Sequence, residues 1–264
     1  MSKAFTLCAD DFAQSAAISE SILELLAARR LTATSVFSQS PLWPTFAQQL
    51  ATLSSVDVGL HFNLTHPFDD SAKPLSHWLI NSQLRRLPLD WLADQIHRQI
   101  DAFTNAFGRM PDFIDGHQHV HALPQIRDAL LSTLTTLSGI PYLRAPDLLR
   151  HPGDSRVKTI ILKAVCHGFA QQAGTAGYQV PTWFGGVYSL SPHANYPTLM
   201  AEWLKVMPNN ALLMCHPGKE NAADDPIGAA RFNEYQYFTS SAFIESCELH
   251  DAWQKPFQRV KNIG

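Results

Sequence analysis

The strongest constraint on this chain is a rhythm. Short apolar runs alternate with longer amphipathic stretches along most of its 264 residues. The runs at 4–9, 32–37, 56–60, 113–115, 141–144, 178–181 and 211–215 read as strands. The stretches at 15–30, 44–53, 90–107, 124–137, 157–174, 196–206 and 239–249 read as helices. In the first of these Ile18, Ile22, Leu23, Leu25 and Leu26 fall at helical spacing. Alternating strands and helices specify βαβ units and a parallel sheet. About seven such units favour an α/β fold of the TIM-like (β/α) barrel type, incomplete or distorted, over an open doubly wound sheet. The open sheet's GxGxxG is also missing, and Asp10-Asp11-Phe12 stands in its place. Segments 65–89 and 221–237 lack a clear period and read as loops.

No linker or repeat divides the sequence, so 1–264 reads as one domain. With 45% hydrophobic residues and a net charge of −3, the chain is not disordered, and nucleic acid is an improbable partner. No apolar run approaches the roughly 18 residues of a membrane span. The four cysteines lack CxxC spacing, and two aspartates by position 11 argue against a secretory signal. Both features point to the cytoplasm. A homodimer is the base-rate expectation for assembly.

Polar residues cluster where the strands end, which is where parallel α/β folds build their sites. Asp10-Asp11 ends the first strand and His61 the third. Asp115-Gly116-His117-Gln118-His119-Val120-His121 follows Phe113-Ile114, and His216 follows Leu212–Cys215. Read as extended chain, the HxHxH run puts His117, His119 and His121 on one face, a set able to bind a divalent ion. Two histidines and one carboxylate from different strands serve equally well. Either aspartate alone could instead cap the next helix, and a lone His61 or His216 could be structural. Arg144 ends another strand and could orient an aspartate, bind substrate or form a surface ion pair. Among six tryptophans, Trp183 is the best candidate to line a pocket, because it follows an expected strand.

Taken in order, Ala9-Asp10-Asp11-Phe12, Gly59–Thr65, Ile114–His121, Arg144-Ala145-Pro146 and Cys215-His216-Pro217-Gly218 resemble the YdjC-like carbohydrate deacetylases. That family includes chitooligosaccharide and hopanoid-biosynthesis-associated deacetylases. The motifs span residues 9 to 218. One departure is Ala13, where the family usually has glycine.

The resemblance implies an α/β barrel holding one divalent metal ion, magnesium or zinc, on Asp11, His61 and His117. His119 and His121 then support the site instead of ligating. The implied reaction is hydrolysis of an N-acetyl group on an acetylated amino sugar, with acetate released. Asp10 is the expected general base, His216 the general acid and Asp115 the residue orienting a ligand imidazole. Two other readings use the same residues: a different metal-dependent hydrolase (amidohydrolase or phosphoesterase), and a non-catalytic sugar-binding relative. The region 148–187 matches no motif and is expected to shape the substrate pocket.

Overall fold

A computed structural model describes residues 2–139, 141–151, 153–220 and 225–259. The elements run β1 (Lys3–Phe12), α1 (Ala16–Ala27), β2 (Ala33–Val36), α2 (Trp43–Leu50), β3 (Asp57–Phe62), α3 (Leu75–Gln83), α4 (Leu89–Phe107), β4 (Phe113–Gly116) and α5 (Ile126–Leu134). They continue with β5 (Tyr142–Leu143), α6 (Arg156–Val165), α7 (Phe169–Thr175), β6 (Phe184–Gly185), α8 (Tyr196–Val206), β7 (Ala211–Cys215), α9 (Gly228–Thr239), α10 (Ser241–Leu249) and β8 (Ala252–Gln254). Seven parallel strands in the order β5-β4-β3-β2-β1-β7-β6 curl into an incomplete barrel. β8 extends the sheet beside the first residues of β1. Edges β5 and β6 do not pair directly. A single bridge from Leu149 to Phe184 crosses near them.

Period-two alternation explains how these strands serve two cores. Leu7, Ile114, Leu143, Leu213 and Cys215 belong to the layer that also holds helix residues Ile22, Ile96, Phe103 and Trp203. Their neighbours Cys8, Phe113, Tyr142, Leu212 and Met214 form a second cluster with Ala33, Phe184 and Phe257, inside the curl. Gly59 takes an inward place in β3 because a Cβ there would run into the Phe113 ring. Phe257 closes the bottom, its ring 4.2 Å from that of Tyr142 and its N–H donating to Asp57 Oδ2 at 2.8 Å.

One step of two residues along each strand converts this apolar interior into a polar one. Cys8 leads to Asp10, Ala33 to Ser35, Gly59 to His61, Phe113 to Asp115, Tyr142 to Arg144, and Met214 to His216. Every one of these polar residues except His216 is buried.

Five sequence expectations need correction. Segment 65–89 contains α3, held down by buried Trp78, whose Nε1 donates to Leu64 O at 2.9 Å. Segment 221–237 contains most of α9; its positions 221–224 lie outside the described residues. The strand expected at 178–181 is absent there. Leu143 N donates to Gln179 O at 2.9 Å, and the strand forms at Phe184–Gly185 instead. The helix expected over 157–174 is two, α6 and α7, separated at Gly168 with φ 80°. The HxHxH run is not extended. His117–Ala122 forms a 3₁₀ turn with left-handed backbone at Gln118 (φ 53°) and His119 (φ 60°), so its three histidines do not share one face.

Candidate active site

β1 ends in a left-handed twist. Asp11 has φ 68° and Ala13 φ 69°. That geometry directs both aspartates of the pair toward the site from consecutive positions, which a regular strand forbids. The same geometry strains Ala13, because glycine adopts positive φ freely whereas alanine does so at a cost.

Asp10 and Asp115 are joined through Arg144. Nη1 and Nη2 of Arg144 donate to the two oxygens of Asp10, each at 2.6 Å, and Nη2 lies 2.5 Å from Asp115 Oδ2. All three side chains are buried. Burial alone would raise the Asp10 pKa, but the guanidinium outweighs it and holds Asp10 well below the usual carboxylate range. Arg144 thus orients an aspartate and is not a surface ion pair.

His61 is held through its Nδ1, 2.7 Å from Asp115 Oδ1 and 3.0 Å from Ser35 Oγ. Its Nε2 faces Asp11 Oδ1 at 3.3 Å. Burial would depress this imidazole, yet Asp115, Asp11 and Asp10 together raise its pKa to about 10. His117 is hydrogen-bonded through Nδ1 to Thr65 Oγ1 at 2.7 Å, and burial pushes it down to about 4. The two imidazole centroids are 5.7 Å apart. In both rings Nδ1 is tied by a hydrogen bond, and Nε2 of His61 points at Asp11, an arrangement that fits metal-ligating histidines.

His216 Nε2 lies 3.9 Å from Asp10 Oδ2. Its backbone N–H donates to Glu234 Oε2 at 2.5 Å, and Tyr188 OH donates to the other oxygen of Glu234 at 2.6 Å. Burial raises the Glu234 pKa to about 7 and lowers that of His216.

Asp10, Asp11, His61, His117, His119 and His216 all line one cavity of about 870 Å³. His121 stands behind it, with Nε2 2.9 Å from Arg144 O. Trp183 is 4% exposed in the core and is not among the lining residues. Tyr188 is the aromatic side chain, other than histidine, in the lining.

Two participants escape sequence reading. Arg231 donates through Nη2 to Asp11 Oδ2 at 2.7 Å and through Nε to Asp225 Oδ2 at 2.6 Å. It lies on α9, as does Glu234. Their spacing of three in an apparently aperiodic segment is the sole sequence trace of a shared helix face.

Among the described residues, the polar neighbour of the buried Asp11 Oδ1 is His61 Nε2 at 3.3 Å, and the His117 ring lies 5.7 Å from that of His61. A buried carboxylate oxygen is costly unless a cation meets it. One carboxylate and two imidazoles match a first-row divalent ion with open positions. Asp11, His61 and His117 are more loosely spaced than Cys8, Asp10 and Asp115, whose ligand atoms all lie within 4.8 Å of one another. That tighter group already surrounds a cation. Arg144 Nη2 touches all three, reaching Cys8 Sγ at 3.3 Å.

Comparison with known proteins places this arrangement. The family model described as YdjC-like protein matches residues 4–248. A chitooligosaccharide deacetylase of Serratia marcescens is 31% identical over 147 residues, covering 51% of this chain and 55% of that protein. One from Salmonella paratyphi B is 31% identical over 134 residues, covering 48% and 53%. The chain therefore spans about half the length of the curated relatives it matches. Among solved structures, one from Enterococcus faecalis V583, described as a candidate cellobiose-phosphate cleavage protein, superposes with TM-score 0.71 at 18% identity. It covers 97% of this chain and 98% of its own. A family 4 acetyl xylan esterase from Clostridium thermocellum, in complex with a cobalt ion, gives 0.51 at 9% identity, covering 96% and 88%. At these identities the two structures establish a shared fold.

Proposed function

This chain belongs to the YdjC-like protein family, and from that premise we propose that it is a metal-dependent hydrolase removing an N-acetyl group from an amino sugar. The observation that carries the reading is the buried Asp11 Oδ1, 3.3 Å from His61 Nε2, with His117, Asp10 and His216 beside it in one cavity. The 31% identity to chitooligosaccharide deacetylases supports the substrate class.

Asp11, His61 and His117 would hold the ion. When bound, it supplies an acidified water and polarises the acetyl carbonyl. Asp10 stays ionised at neutral pH because Arg144 stabilises its anion. It accepts a proton from the attacking water as the C–O bond forms. His216 is neutral at rest, since burial disfavours its charged form. It therefore acts as an acid only after gaining a proton, and Asp10 Oδ2, 3.9 Å away, is the nearby source. The proton then passes to the amine nitrogen as the C–N bond breaks, leaving acetate and a free amino sugar. Glu234 holds the His216 backbone in place. Arg231 Nη1, buried at the cavity wall with no partner among the described residues, donates to a substrate oxygen.

The test is acetate release from a panel of N-acetylated amino sugars, with and without chelator. Release that chelation abolishes and divalent metal restores is expected. No release from any of them by metal-replete protein would overturn the reading.

A further inference from the structure

The two oxygens of Asp11 have different surroundings. Oδ2 accepts from Arg231 Nη2 at 2.7 Å, whereas Oδ1 meets, among the described residues, His61 Nε2 at 3.3 Å. Arg231 is fixed in turn. Its Nε donates to Asp225 Oδ2 at 2.6 Å, Nη2 also reaches Gln14 Oε1 at 3.2 Å, and the residue is 2% exposed. A guanidinium anchored on both sides cannot swing away without unpairing two carboxylates.

From this asymmetry we infer that Arg231 is a positioning residue that reserves one oxygen of Asp11, so that Asp11 meets the divalent ion through Oδ1 alone. The inference rests on the ligand set proposed above. Two physical effects follow. A carboxylate with one oxygen in a charge-assisted hydrogen bond does not chelate through both. The guanidinium also sets a fixed positive charge on the far side of that carboxylate, opposing the ion. Both loosen the hold on the metal and keep coordination positions open for water and the acetyl oxygen. An arginine with only a scaffolding role has the opposite consequence: its removal would disorder Asp11 and weaken metal binding.

The sign of the effect is therefore the test. Zinc is titrated calorimetrically into chelator-stripped parent, Arg231→Met and Arg231→Lys, and the parent is crystallised with zinc. Arg231→Met should bind zinc about tenfold or more tightly, from the loss of repulsion and the freed oxygen. Arg231→Lys, which keeps the charge, should stay near the parent. The zinc structure should show Oδ1 on the ion and Oδ2 still on Arg231. Equal or weaker zinc binding by Arg231→Met overturns the inference, as does an Asp11 that chelates with both oxygens. If Arg231→Met does not fold cooperatively, the parent's zinc structure decides. Zinc bound away from Asp11 would overturn the ligand set itself, and this inference with it.

Discussion

Arg144 grips Asp10 through both oxygens at 2.6 Å while also lying 2.5 Å from Asp115. One buried cation thereby bridges the two carboxylates nearest the proposed reaction centre. Arg144→Met strips Asp10 of its bidentate cation and leaves Asp115 to His61. The expected loss is about 3–5 kcal/mol of folding stability, the usual result of breaking a buried pair. Urea melts of parent and variant measure it. A loss below about 1 kcal/mol would mean that the pair is solvated.

Asp10→Asn keeps the shape and most hydrogen bonds but cannot take a proton. Turnover should fall by roughly 10²–10⁴, the usual weight of a general base, with metal content near normal. Acetate release and elemental analysis of the same preparation separate the two quantities.

His61→Ala and His117→Ala should lose metal together with activity, because each removes one of the two imidazoles of the proposed ligand set. The carboxylate–imidazole contact at His61 Nδ1 sets that ring's orientation, so Asp115→Asn should weaken metal binding by about 10–100-fold without abolishing it. Equilibrium dialysis checks all three variants. Retention of metal by His117→Ala at parental affinity would remove it from the ligand set.

Ala13 occupies a left-handed position at φ 69°. Ala13→Gly should stabilise the fold by up to about 1 kcal/mol, the relief of Cβ strain less the added freedom of the unfolded chain. The change is read as a shift in the thermal midpoint.

Asp57 sits at the opposite end of the barrel. Burial, with Asp112 adding to it, raises its pKa from 3.8 to about 6. The native state therefore holds a proton that the unfolded chain has lost, and stability falls as pH rises between those two values. It then stays flat above them. Asp57→Asn, neutral at every pH, should remove that slope. At pH 7 it should be more stable than the parent by roughly 1–3 kcal/mol. Urea melts at pH 4, 5, 6 and 7 supply the comparison.

Much of this is legible in the sequence because it depends on local periodicity. The βαβ rhythm, the inward faces of the strands and the polar residues closing them all follow from a period of two set against one of 3.6. The strand ends were therefore sufficient to nominate Asp10, Asp11, His61, His117 and His216, and all of them line one cavity. Trp183 was nominated on the same grounds but packs in the core. Its position one residue before β6 gives no sign of which side the indole takes.

Tertiary structure decided what local pattern cannot encode. The left-handed turn at Gln118 and His119 breaks the period on which the HxHxH reading relied. Residues 228–239 form a helix despite weak periodicity, because packing against the barrel compensates for it. That helix brings Arg231 to Asp11 across 220 positions of sequence. The sequence by itself determined which side chains stand at the strand ends. Only the closed three-dimensional packing determined which cation meets which carboxylate, because ion pairing depends on distance through space and leaves no period along the chain.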